Sequence, residues 1–164
     1  MSEIAALKAK LEAVTSRLSE LTLDRFNEDD AWRLGGLMRA RAIELGYPVA
    51  IDIRSGDAPL FSVMLPGATA ANFDWARRKR NLTLLVGESS WELSLKKALG
   101  TDFAELMGLD SRDYTPHGGC VPIRVGGVVG IVATVTVSGL PQEQDHEFAV
   151  SCLAEFKKLS GERG

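Results

Sequence analysis

Two β-rich runs, residues 117–125 and 128–137, meet at Gly126-Gly127, and no other feature constrains the fold of this chain as strongly. A Gly-Gly pair between such runs signals a two-residue hairpin, because both central positions of that turn favour positive φ. The turn sets Val125 against Val128, Ile123 against Gly130 and, continued back, His117 against Thr136. A bulge at Gly118 or Gly119 would break this register. In it, Val121, Ile123, Val125, Val128, Gly130, Val132 and Thr134 share one face, and Val129, Ile131, Ala133, Val135 and Val137 share the other. Both faces are mostly apolar, so both must be covered, which predicts an α+β chain with helices on each side of an antiparallel sheet, a three-layer α/β/α arrangement.

The second run ends in Ser138-Gly139-Leu140-Pro141 and leads into a helix. Pro141 suits a first helical turn, and Glu143 and Asp145 suit the positive end of the helix dipole. The predicted register therefore brings His117 to the sheet end that holds Ser138, Asp145 and His146. That end is the first place to look for a chemical site.

At 164 residues the chain suits a single domain, 1–164, able to bury roughly 70% of its unfolded surface without a disulfide or structural metal. A net charge of −3 argues against a general nucleic-acid-binding surface. The two cysteines are sparse, as in a reducing compartment. The charged N-terminus resembles no signal peptide, and the longest apolar run, 128–137, is too short to span a bilayer as a helix. These features predict a cytoplasmic protein with no membrane or nucleic-acid partner.

Ile4, Leu7, Leu11, Val14, Leu18 and Leu21 recur at spacings of three and four, a narrow apolar seam on an N-terminal helix within residues 1–22. It must dock either on its own domain or on another subunit. Asn27 caps a second helix that stops at Gly46, and 49–53 and 60–65 read as a second hairpin. Helices follow at 72–86 and about 89–99, with a short continuation through 106, while 109–116 supplies either a fifth strand or a loop.

Asn72, Trp75 and Lys79 lie on one helical face and offer an amide, an indole and an ammonium to an anionic or aromatic ligand. Trp75 and Lys79, four apart, are also placed for a cation–π contact, and a half-buried helix with Lys79 snorkelling explains the same pattern without a ligand. Arg77, Arg78, Lys79 and Arg80 form a cationic run around more than half the helix circumference, predicting a solvated, carboxylate-paired face. His117, Cys120, Asp145 and His146 are metal-capable, but their spacing matches no metal motif. Gly118 and Gly119 would let backbone N–H groups approach a ligand, and the free N–H groups near residues 140–143 would hold an anion. No nucleophile elbow, P-loop or dinucleotide fingerprint is present, and Cys152 reads as core.

Gly118-Gly119-x-x-Pro122-Ile123, the glycine-containing hairpin, Val137-Ser138-Gly139 and Gln144-Asp145 together resemble the GlcG-like proteins, also called the haem-degrading-domain family. Asn72-x-x-Trp75-x-x-x-Lys79-Arg80, the His117-Gly-Gly opening and Ser138-Gly139-Leu140-Pro141-Gln142 with Asp145-His146 narrow this to a subfamily of largely uncharacterised proteins shared by bacteria and fungi. The resemblance implies a profilin-like fold with a five-stranded antiparallel sheet, and a homo-oligomer built on dimers. Some members bind haem or promote its degradation; others are small-ligand or cobalamin-related modules. The chain departs from the pattern at Cys120-Val121 and at Ala70-Ala71.

The expected function is that of an oligomeric small-ligand-binding protein with haem as candidate cofactor. Its pocket would be lined by Asn72, Trp75, Lys79, His117, Gly118, Gly119, Ser138, Asp145 and His146. Both histidines would contact ligand or iron, Lys79 would neutralise a carboxylate and Trp75 would stack. One alternative is an enzyme acting on a small organic or tetrapyrrole substrate with His146 as acid/base. Another is an oligomeric scaffold recruiting a partner through the N-terminal seam.

Overall fold

The computed structural model describes residues 2–163. In chain order the elements are α1 (Glu3–Ser19), α2 (Glu28–Leu45), β1 (Ala50–Ser55), β2 (Ala58–Met64), α3 (Ala70–Val86), α4 (Ser90–Ala98), α5 (Phe103–Leu106), β3 (Cys120–Ile123), β4 (Ala133–Ser138) and α6 (Gln142–Arg163). The helices start where the sequence supplies oxygens for their free N–H groups. Asn27 Oδ1 accepts from Asp30 N at 3.0 Å and Asp30 Oδ2 from Asn27 N at 2.9 Å, and α2 closes on Gly46 at φ 68°. Ser89 and Glu92 form the same reciprocal cap on α4.

The sheet has strand order β2-β1-β4-β3 with antiparallel neighbours throughout. Among the described residues it has four strands, not the expected five. Segment 109–116 is held as turns: Asp110 Oδ1 accepts from Arg112 N at 2.9 Å, and side chains of α3 occupy its carbonyls. Arg78 Nη2 donates to Ser111 O at 2.7 Å, Arg77 Nη2 to Arg112 O at 2.9 Å and Asn81 Nδ2 to Asp113 O at 2.8 Å. With those acceptors taken, this segment is tied to a helix and adds no strand.

The β3–β4 register also departs from expectation, pairing Cys120 with Thr136 and Ile123 with Ala133 in place of His117 with Thr136. The Gly126-Gly127 turn does form, with Val128 N bonded to Val125 O at 3.1 Å. However, Leu23 N donates to Arg124 O and Gly126 N to Leu23 O, both at 2.9 Å, so residues 124–126 leave β4 to form a parallel bridge with the segment after α1. The ladder resumes three residues out of the expected register. An odd slip exchanges faces.

The faces consequently differ in kind. Ile51, Ile53, Val121, Ile123, Val135 and Val137 pack against α2 (Leu34, Met38) and α6 (Ala149, Leu153, Phe156) as the main apolar core. The face under α3 carries buried Asp52, Cys120, Thr134, Thr136 and Ser138, which corrects the expectation of two apolar faces. Asp52 anchors it, accepting from Arg80 Nη1 at 3.0 Å, from Arg54 Nε at 2.8 Å and from the Ser62 hydroxyl. Arg80 is only 5% exposed, so half of the cationic run lies inside the fold rather than on a solvated face.

Helix α1 docks on its own domain. Leu7, Leu11, Val14 and Leu18 pack on Trp91 and Leu95 of α4, and Lys10–Glu143 at 3.2 Å and Arg17–Glu147 at 2.8 Å pin it to α6. No helix of the described residues is long and apolar enough to cross a membrane.

Removing the Asp52 charge strands the Arg80 guanidinium in a dry layer, and breaking such a pair costs about 3–5 kcal/mol. Urea denaturation of Asp52→Ala should show a loss of that size, whereas Asp113→Ala, which removes an exposed Arg77 pair, should lose less than about 1 kcal/mol.

Candidate functional site

A cleft of about 290 Å³ opens between the first turns of α3 and the β4–α6 corner. From α3 it is lined by Asn72, Trp75 and Lys79, from the loop before β3 by His117, and from the corner by Ser138, Gly139, Leu140, Gln142 and Asp145. A cavity of about 360 Å³ beside α1 is larger, but its carboxylates are engaged internally: Glu92 by Ser89 and Thr15, Glu88 by Lys96.

The cleft floor is a buried ion pair. Lys79 Nζ donates to Asp145 Oδ2 and to Val137 O, both at 3.0 Å, and Asp145 Oδ1 accepts from Leu140 N at 2.9 Å, holding the turn into α6. Burial pushes the Lys79 pKa down and the Asp145 pKa up, and the opposite charge of the partner resists each shift. Lys79 thus spends its charge on Asp145 and two of its three N–H bonds inside the protein, so it is not the expected free counter-ion. Arg78, with its guanidinium carbon 4.3 Å from the ring centroid, makes the cation–π contact with Trp75 that the spacing offered to Lys79.

Gly118 and Gly119 serve the fold in the positions expected to face a ligand. A Cβ on Gly119, at φ 138°, would lie 2.3 Å from Val137 O and 2.8 Å from Lys79 Nζ; on Gly118 it would lie 2.6 Å from Gln142 O. Only glycines let the chain pass between the ion pair and the first turn of α6. The Gly118 N–H is not free for a ligand, since it donates to Gln142 Oε1 at 3.0 Å.

His117 sits exposed at the mouth, its Nδ1 2.8 Å from Thr115 Oγ1 and its ring edge-on to Trp75 at 4.9 Å and 85°. Partial burial and then the charges of Lys79, Lys97 and Arg78 hold its pKa below the ordinary value, so it is neutral at pH 7. His146 is elsewhere. One residue along a helix turns about 100°, and this step carries His146 from Asp145's side of α6 to the underside of α1. There it is 2% exposed, 6.4 Å from Trp91, with Nδ1 unpartnered. Burial drives its pKa down to about 4. The two histidines therefore share no pocket, and His146 cannot act as the acid/base of the cleft. No three His, Cys, Asp or Glu side chains among the described residues converge as a metal-binding group.

Gln142 was absent from the expected lining although it ends the Ser138–Gln142 string; a helix-opening amide gave no sign that it would reach back to Gly118. Its Oε1 also accepts from Ser94 Oγ at 2.9 Å, joining α4 to the corner.

A family model described as haem degrading protein HbpS-like matches residues 26–154. A UPF0303 protein of Acidobacterium capsulatum is 40% identical, covering 94% of this chain and 93% of its own. One from Rhizobium etli is 42% identical, covering 88% and 87%. The crystal structure of the yeast Ybr137w protein superposes with a TM-score of 0.84 at 35% identity, covering 92% of this chain and 88% of that one. A haem complex of PduOC shares the fold, with a TM-score of 0.66 at 20% identity over 79% of this chain and 93% of that one.

His146 gives the protein an acid-labile point. Its folded pKa of about 4 lies below the ordinary 6.5, so the unfolded chain takes up a proton first as the pH falls. Stability should be unaffected by this group above pH 6.5 and should fall by up to about 3 kcal/mol on the way to pH 4. Denaturation at stepped pH should show that slope in the wild type and its loss in His146→Leu.

Proposed function

Because the chain belongs to the HbpS-like haem-degrading protein family, we propose that it is a small-ligand-binding protein whose ligand occupies the Trp75–His117 cleft, with haem or a related tetrapyrrole as the leading ligand class. The observation that carries this reading is the exposed His117 imidazole set edge-on to Trp75 at the mouth of the cleft. With Nδ1–H donating to Thr115 Oγ1, His117 Nε2 would carry the lone pair that holds an iron. Bound haem would supply redox chemistry at its iron. The chain itself supplies an imidazole that is neutral at pH 7, an indole edge for planar contact and, in Arg78, a cation at the rim for a propionate.

Size limits the mode of binding. Small-molecule sites typically span about 300–1,000 Å³, and a cleft of about 290 Å³ takes the edge of a macrocycle and leaves the rest outside. We propose a homo-oligomer on separate grounds: Trp32 is 68% exposed and packs at 5.5 Å on Phe61 of the edge strand β2, and Val128 and Val129 project from the β3–β4 loop. Edge strands and apolar patches left open in this way are where chains associate.

Hemin titration should give a sharpened, shifted Soret band that weakens in His117→Ala and persists in His146→Ala, whose imidazole is sealed under α1. A His117→Ala titration identical to the wild type would remove iron ligation from this reading. Light scattering at micromolar concentration should give at least two chains per particle, and a monomer of 17.7 kDa would overturn the assembly.

A further inference from the structure

The hydrogen bonds inside the cleft leave it with donors and almost no acceptors. Asn72 Oδ1 is taken by Thr69 N at 2.8 Å, and Gln142 Oε1 by Gly118 N at 3.0 Å and Ser94 Oγ at 2.9 Å. Backbone N–H groups can only donate, so they fix both amides with oxygen turned to the protein and NH₂ left over. Asp145 spends one oxygen on Leu140 N and the other on Lys79. Lys79 carries three N–H bonds and spends two. The unspent groups of these side chains are Asn72 Nδ2, Gln142 Nε2 and one N–H of Lys79. Ser138 can turn its hydroxyl either way.

We propose that the cleft selects a carboxylate: Asn72, Gln142 and Lys79 converge their unspent N–H groups on one ligand anion, with Trp75 and His117 flanking its planar body. This rests on the cleft being the ligand site, and names the chemistry that the site recognises. The surrounding charge agrees, since Lys79 neutralises Asp145 while Arg78 and Lys97 add positive potential at the His117 mouth. An amine or guanidine would find only the Ser138 hydroxyl and the His117 imidazole as acceptors and would leave the amide and ammonium donors unpaired, which costs more than the missing bonds are worth. The carboxylate can belong to a free planar acid or to a tetrapyrrole propionate.

The geometry supplies its own test variants. Asn72→Asp and Gln142→Glu keep the oxygen that each backbone N–H requires, and both sit in first helical turns, where an acidic side chain is favourable. Each turns a cleft donor into an anionic acceptor. With ¹⁵N-labelled protein titrated with benzoate, the side-chain amide signals of Asn72 and Gln142 and the Trp75 indole signal should shift saturably in the wild type, and benzylamine should leave them in place. Both variants should melt no lower than the wild type yet bind benzoate about tenfold or more weakly. Displacement of benzoate by hemin would assign the carboxylate to a propionate, and failure to displace it would assign it to a free acid. Benzylamine binding as well as benzoate, or benzoate binding unchanged in stable Gln142→Glu, would overturn the carboxylate assignment while leaving the cleft as a ligand site. If neither benzoate, benzylamine nor hemin moves any cleft signal, the site reading itself fails.

Discussion

One buried ammonium ties together the three elements that make the cleft. Lys79 reaches from α3 to the last residues of β4 through Val137 O and to the first turn of α6 through Asp145. An ammonium taken out of water loses several kcal/mol of hydration unless its partners replace it. The structure must therefore keep β4, α6 and α3 in one relative position to keep the ion satisfied. Gly119 follows from this requirement, because any side chain there would occupy the space of Lys79 Nζ. The cleft is the gap left above this junction.

The same logic extends across the α3 face of the sheet. Arg80 meets Asp52, which also accepts from Arg54 Nε and from the Ser62 hydroxyl. A layer built on hydrogen bonds is less forgiving of sliding than the Leu34–Met38–Ile51 side, where apolar contacts have no direction. So the sheet has an adaptable core on one side and a geometrically fixed one on the other. The cleft lies on the fixed side, where side chains that would present a ligand with donors are held by backbone N–H groups rather than by solvent.

Much of this was legible in the chain. Asn27 and Gly46 bound α2 because a side-chain oxygen and a left-handed glycine are local requirements, and the helix spacing of Asn72, Trp75 and Lys79 put them on one wall of the cleft. The family was legible too, in motifs whose order survives along the chain. What misled was a strong local signal. The Gly126-Gly127 turn is real, but a turn fixes a ladder only when nothing else competes for the strand, and Leu23, a hundred residues away, takes the carbonyl of Arg124. Likewise, four consecutive cations look solvated in sequence, since no local feature announces that Asp52 and Asp145 wait inside for two of them.

The amino-acid sequence by itself determined where the capped helices begin and end, and that Asn72, Trp75 and Lys79 share one face of a helix. These follow from caps, periodicity and short-range geometry, which involve residues within a few positions of one another. The tertiary structure alone decided the β3–β4 register, which side of the sheet is polar, and that Asp145 turns to the cleft while His146 turns under α1. A helix fixes the angle between adjacent side chains but not what each one meets. That depends on Lys79 arriving from an element 66 residues away, and such pairings are selected by the desolvation of charges when the layers close.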